Sequence, residues 1–224
     1  MSKFTDKVFD EQDHQLMKTD WIEVPRGGLD RPGLDAIEFL FNKVRRRRMT
    51  VLEVGCWTGM TSVLLGKLTK KVKGTLRCVD AFKGSEDSNL TCADYVNIQR
   101  IHKDNIERND VADVITVNNV NSHNFNFNPE VVGLYDFIFI DADHRYECAK
   151  FDMENCYKIL KPGGIICGHD CEYLISSYYD LFIQTEKVDY TQCHTGVIRA
   201  VYEVFGYKAK VTPKGYIWWV QKGK

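Results

Sequence analysis

The sequence lacks most of the features that would assign it at a glance. No apolar run approaches the roughly 20 residues that cross a bilayer, so no membrane partner is expected. The opening stretch, MSKFTDKVFDEQDHQ, is polar and has no apolar signal core. With both features missing, the expected location is cytoplasmic. Net charge is only −1, from 30 basic and 31 acidic residues. The chain as a whole therefore has no pull toward nucleic acid, and such a partner is not expected. There is no Cys-x-x-Cys among the eight cysteines. That spacing speaks against a disulfide framework or a zinc knuckle and for reduced, mostly buried thiols. No internal repeat or linker is visible, so residues 1–224 read as one domain, with 1–33 an irregular N-terminal extension. The G-x-G-x-x-G of dinucleotide-binding folds is missing too, which argues against the NAD-dependent oxidoreductase alternative.

What is present centres on Thr50 to Ser62, TVLEVGCWTGMTS. Val51, Leu52 and Val54 read as a short buried strand. Gly55 and Gly59 bracket a sharp turn, and Thr61 to Leu68 reads as a helix. A strand, a glycine turn and a helix start make a cradle for a nucleotide-like ligand. The glycines allow close backbone approach, and the helix start offers unpaired N–H groups. Thr75 to Val79 forms a second strand ending at Asp80, well placed to accept hydrogen bonds from the hydroxyls of a ribose.

Before this stretch, Leu34 to Val44 has helical apolar spacing, and Arg45 to Arg48 follow it, read as a solvated helix end in preference to a nuclear signal or an RNA contact. After it comes the polar loop Ala81 to Thr91, then an amphipathic helix over Ala93 to Arg108 and a third strand over Val114 to Val117. The continuous apolar run Phe137 to Ile140 suits a strand buried on both faces. It delivers Asp141-Ala142-Asp143-His144. A helix over Arg145 to Leu160 is stopped by Lys161-Pro162-Gly163-Gly164. The strand Gly164 to Gly168 then delivers His169-Asp170. Two successive strands thus present carboxylates at the ligand-binding edge of an open α/β sheet. Residues 171–194 are aromatic and poorly patterned, a candidate substrate lid. Gly196 to Phe205 is a helix, and Tyr207 to Val211 with Tyr216 to Gln221 forms a closing antiparallel hairpin. The fold class is α/β: a Rossmann-like, doubly wound sheet, mostly parallel, with a C-terminal antiparallel hairpin.

EVGCWTG, Asp80, IDADHRYE, LKPGG and GHD together resemble the small-molecule O-methyltransferase branch of the class I S-adenosylmethionine (SAM)-dependent methyltransferases. The resemblance runs from about Leu34 to the C-terminus. It implies SAM as cofactor, with Glu53, Gly55 and Gly59 at its amino-acid end, Asp80 at the ribose, Asn119, Asn121 and Ser122 as candidates for the adenine edge, and Asp141 also among the cofactor contacts. It implies a divalent cation, Mg2+ or Mn2+, held by Asp141 and Asp170. His169 falls where relatives often have an oxygen ligand, and histidine suits manganese, iron or zinc better than magnesium. The acceptor would be a small hydroxylated molecule, with Asp141, His144 and His169 as the catalytic group; the two histidines are the candidate bases. Asn/Asp-Pro-Pro-aromatic, typical of enzymes that methylate nucleobase amines, is replaced here by DADH. A homo-oligomer is also expected on this resemblance. A non-catalytic SAM-binding protein of the same fold is the other alternative.

Overall fold

The computed structural model describes residues 29–84, 98–132, 134–172 and 193–224. The N-terminal extension up to residue 28, the polar loop from residue 85 onward with the start of the helix after it, and most of the expected lid lie outside the described residues.

The described chain alternates helices and strands: α1 (Arg31–Lys43), β1 (Thr50–Val54), α2 (Met60–Lys71), β2 (Thr75–Asp80), α3 (Ile98–Arg108), β3 (Ile115–Asn119), the single turn α4 (Pro129–Val132), β4 (Tyr135–Ile140), α5 (Tyr146–Lys158), β5 (Leu160–Gly168), α6 (Thr195–Phe205), β6 (Lys210–Val211) and β7 (Trp218–Gln221). Among the described residues the strands form one sheet in the order β3-β2-β1-β4-β5-β7-β6. β1 to β5 pair in parallel, and β7 runs antiparallel to both β5 and β6. The doubly wound fold and its closing hairpin are thus as expected.

Strand alternation sorts the core onto two faces. Leu52, Val54, Ile138, Ile140 and Ile166 pack with Met153, Cys156, Val197 and Val201 of α5 and α6. Val51, Phe137, Phe139 and Ile165 pack with Ile37, Leu40 and Phe41 of α1 and Leu64, Leu65 and Leu68 of α2. Every residue of β4 is buried, as its unbroken apolar run requires. α1 begins at Asp30, whose carboxylate accepts the Gly33 N–H at 2.8 Å, and Pro32 lies in its first turn. Six of the seven described cysteines are buried, and burial raises the thiols of Cys56, Cys156 and Cys167 well above their ordinary value.

Three elements differ from the sequence reading. α5 ends at Lys158, and Lys161-Pro162-Gly163-Gly164 belongs to β5 instead of stopping the helix. Pairing with β4 starts at Leu160, and the register shifts between Tyr135 and Phe137. That irregularity accommodates a proline without a donor and Gly163 at φ +78°. α1 stops at Lys43, so Arg45 to Arg48 are not a helix end but the connection into β1. The last two strands are also shorter than expected. Gly206–Lys208 is a tight helical turn, and Tyr216 takes a left-handed φ of 52°.

Candidate active site

The strand order reverses direction between β1 and β4. Open α/β sheets bind ligands in the crevice at the carboxyl ends of such a pair. Gly55 follows β1 at φ +84°, and a Cβ there would lie 1.9 Å from the carbonyl oxygen of Asp141, just after β4. The glycine turn and the DADH loop are therefore in direct backbone contact. The Asp141 N–H in turn donates to Val54 O at 2.8 Å.

Asp80 holds the glycine turn in shape. Its Oδ2 accepts the N–H groups of Cys56 (2.6 Å) and Trp57 (2.8 Å), and its Oδ1 accepts that of Phe82 at 2.6 Å. Asp80 also pairs in register with Asn119 at the same edge. α2 starts at Gly59, in the left-handed region, without a side-chain cap. Its first-turn N–H groups thus lack the usual side-chain acceptor.

Glu53 lies underneath this turn, fully buried. Ser62 Oγ donates to its Oε2 at 2.6 Å, and Cys78 Sγ approaches the same oxygen at 3.2 Å. Oε1 is buried without a hydrogen-bond partner among the described residues. His102 Nε2 lies 3.0 Å from Ser62 Oγ and extends the chain into α3. Burial pushes the Glu53 carboxyl up to about 8, against the hydrogen bonds of Ser62 and Cys78. Burial pulls the His102 imidazole down to about 4. At neutral pH both groups are uncharged for the most part, as an apolar interior favours. Asn105 Nδ2 donates to Thr58 O at 2.8 Å and ties the turn to α3 a second time.

A polar cluster sits on the other side of the turn. Asp170 is left-handed at φ +62°, a conformation that costs a non-glycine residue energy and gathers at functional sites. Three imidazoles surround its carboxylate: His144 Nε2 at 2.9 Å, His169 Nδ1 at 3.1 Å and His194 Nδ1 at 3.3 Å. Asp141 Oδ1 is 3.7 Å from His144 Nε2 and 3.9 Å from His169 Nδ1. Burial alone would raise Asp170. Hydrogen bonds from His144 and His169, with the charges of both, hold it well below the usual carboxylate range. Burial likewise opposes the charged form of His169, but Asp170 and Asp141 outweigh it and lift the imidazole to about 9.

Asp141, His144, His169 and Asp170 are thus brought together, as the sequence suggested. Asp143 is not part of the group: it pairs with Arg145 at 2.6 Å and accepts that residue's N–H, a local turn role. Two residues the sequence reading missed complete the cluster. Glu172 Oε1 lies 2.7 Å from His194 Nδ1, and its Oε2 accepts the His194 N–H at 3.1 Å. The Glu172 hydrogen bond raises His194 above the ordinary imidazole value. Gly196 delivers His194 to this place. A Cβ on Gly196 would lie 2.3 Å from His144 O, so only glycine lets the start of α6 sit this close to the DADH loop.

The adenine-edge candidates are more dispersed. Asn119 Nδ2 donates to Gln99 at 3.0 Å on the surface. Asn121 caps the turn Ser122–Asn124 by accepting the His123 N–H. Ser122 is half-buried beside Asp152, whose carboxyl burial raises to about 7.

Asp141, His169 and Asp170 offer ligand atoms within 4.8 Å of one another, and so do His144, Asp170 and His194. No helix among the described residues is long and apolar enough to cross a membrane. No curated protein matches the sequence. Solved structures similar to the chain include the O-methyltransferase from Bacillus cereus in complex with SAH, 20% identical, covering 97% of this chain and 94% of that one with a TM-score of 0.59. TomG from Streptomyces achromogenes, an O-methyltransferase of tomaymycin synthesis in complex with SAM, is 14% identical over 95% and 89%, with a TM-score of 0.60. SAH-bound methyltransferase PaMTH1 from Podospora anserina is 12% identical over 97% and 89%, with a TM-score of 0.62. At these identities the likeness is one of fold. The profile described as "Methyltransferase domain" matches residues 52–171, from β1 through the glycine turn to the polar cluster. By that match over more than half its length, the chain belongs to the methyltransferase-domain family.

Proposed function

We propose that this methyltransferase moves the methyl group of SAM to a hydroxyl of a small molecule, assisted by a divalent cation. The observation that carries this reading is the backbone contact between Gly55 and Asp141, which sets the glycine turn directly against the polar cluster. A ligand seated on the turn would reach the carboxylates and imidazoles next to it. The B. cereus and S. achromogenes structures hold SAH and SAM on the same fold.

Bound SAM supplies a methyl group already activated by its sulfonium. The residues of the chain do the rest. The uncapped start of α2 and the turn held by Asp80 would receive the amino-acid end, and Asn119 and Ser122 would border the base. We assign Glu53 to support of the turn from below, since its carboxyl faces Ser62 and Cys78. Asp141, His169 and Asp170 would hold the cation. This mixed imidazole–carboxylate set fits manganese, iron or zinc better than magnesium. A cation there would supply Lewis acidity to an acceptor hydroxyl. The proton leaving the acceptor would be taken by the His144 imidazole, whose Nε2 faces Asp170 Oδ2 at 2.9 Å so that the carboxylate stabilises the imidazolium. An imidazole that gives its lone pair to the cation has none left there for a proton, so His169 is the poorer base of the two. A small hydroxylated substrate, a cytoplasmic location and a homo-oligomeric state belong to the same proposal.

The test is methyl transfer from SAM to a panel of sugars, phenols and hydroxy acids, with Mn2+, Mg2+ or a chelator. Turnover should require a divalent cation. Asp170→Ala should lose about 100-fold or more of it, as expected when a catalytic cation is displaced, with SAM affinity and circular dichroism retained. Undiminished, metal-independent turnover in Asp141→Ala would remove the cation from the mechanism. Binding of NADH without binding of SAM would remove the reading altogether.

A further inference from the structure

The arginine run takes no part in the site above. It lies at the opposite edge of the sheet, where the chain enters β1. Arg48 is left-handed at φ 59°, and its N–H donates to Val72 O at 2.7 Å. Lys73, left-handed at φ 57°, belongs to the connection from α2 into β2. Thr75 N–H donates to Met49 O at 2.9 Å. Two loops are thereby joined into a single rim. An open groove of about 430 Å³ lies along it, lined by Arg45, Arg46, Arg47, Lys71, Val72 and Lys73.

Five of these six residues are cations and none is acidic. Among the described residues, Arg45, Arg47, Lys71 and Lys73 have no ion-pair partner; only Arg46 is paired, with Asp136, which Lys161 shares. Burial holds the Lys161 ammonium below its ordinary value, and the Arg46 charge adds to that effect. The local potential is therefore positive in a protein whose net charge is −1. Gathering like charges costs energy that an anion would relieve.

We propose that this groove binds a compact anion carrying several phosphate groups, at a site separate from methyl transfer. Guanidinium forks match phosphate oxygens in pairs, and the lysines add point charges. The volume lies in the range of small-molecule sites. A long polymer fits less well. With these five cations set aside, the rest of the chain carries −6, so the chain offers a long strand no overall excess of positive charge beyond the groove. Among the described residues no aromatic ring lines the groove for bases to stack on, and the one apolar residue there, Val72, is buried. A nucleic-acid strand and a membrane surface are thus disfavoured on the same observations.

The probe is tripolyphosphate, titrated calorimetrically into the full chain at low and at physiological ionic strength. Binding should be seen at low salt and weaken as salt rises, because the cations are exposed and screened. Arg45→Glu with Arg47→Glu should weaken it about tenfold or more, equivalent to about 1.4 kcal/mol. Adding Lys71→Glu and Lys73→Glu should abolish it. SAM binding and the melting temperature report whether the variants fold. If the fourfold variant unfolds, the Arg45→Ala/Arg47→Ala pair is read instead, with the same expected direction. No heat with the parent protein, or an unchanged affinity in the variants, would overturn the assignment. So would a single-stranded RNA that binds more tightly than tripolyphosphate through the same residues, since the groove would then be a nucleic-acid surface.

Discussion

Glu53, Ser62 and His102 form a buried polar chain beneath the glycine turn, and its protonation has a measurable sign. Folded, Glu53 keeps its proton until about pH 8, whereas the unfolded side chain releases it near 4.5. Across that window the folded state binds the extra proton, so this group's contribution to stability falls as pH rises. His102 works the other way. Its folded value of about 4 lies below the unfolded 6.5, so its contribution is lost as pH falls through that interval. The two trends oppose each other up to about pH 6.5; from there to pH 8 the decline from Glu53 is unopposed by His102, and His169, raised to about 9, declines alongside it. Glu53→Gln keeps an acceptor for Ser62 and removes the titration. It should make the stability profile less steep between pH 6.5 and 8, leaving the decline from His169, and be the more stable form at pH 8, by roughly 4 kcal/mol at most from about 1.4 kcal/mol per pH unit. Urea unfolding of both proteins across that range checks this. A decline of the same size in the variant would place the titrating group elsewhere.

At the scale of elements, the turn between β1 and α2 depends on two glycines for different reasons. At Gly55 the conformation is left-handed, and a Cβ would overlap the Asp141 carbonyl at 1.9 Å. At Gly59 the conformation is also left-handed, but the nearest atom to a Cβ is in the His102 ring at 3.0 Å. Gly59→Ala should therefore cost the backbone strain of about 1–2 kcal/mol and a small displacement of the His102 ring. Gly55→Ala should cost more, and it should abolish SAM binding by parting the turn from the DADH loop. Thermal melts and SAM titrations of the two variants separate these cases. Equal effects would show that strain alone, not the contact with Asp141, sets the requirement. The spacing of the two glycines was plain in the sequence. That one of them touches the polar cluster was not, because the contact joins residues 86 positions apart. The same limit explains Glu172 and His194. His194 meets Asp170 and Glu172 only because α6 returns to the sheet edge, and the sequence between Glu172 and His194 carries no pattern that would announce the return.

For the molecule as a whole, the two edges of the sheet differ in chemistry. The carboxyl edge gathers acids and imidazoles for the proposed reaction, while the opposite edge gathers cations around one buried acid, Asp136. That carboxylate accepts Thr50 N–H at 2.8 Å, binds Lys161 at 3.1 Å and pairs with Arg46. It joins the start of β1 to β4 and β5. Asp136→Ala would leave the Thr50 N–H and Arg46 without this acceptor and Lys161 with Thr50 Oγ1 in its place. Stability should fall by roughly 3 kcal/mol, the low end for a broken buried pair, because Arg46 is half-exposed. SAM affinity should hold, since the proposed site lies at the other edge. A fall in affinity as large as the fall in stability would mean that the two edges are coupled.

The sequence by itself determined the order of helices and strands, the parallel core, the glycine turn and the strand-end acids Asp80, Asp141 and Asp170. These follow from local periodicity, turn chemistry and apolar runs, which act over a few residues. Only the tertiary structure decided which groups meet: Glu53 beneath the turn with Ser62 and His102, His194 with Glu172 at Asp170, and two cationic loops along one groove. Each is a contact between distant parts of the chain. Such contacts are set by the packing of helices on the sheet and leave no mark in the spacing of neighbouring residues.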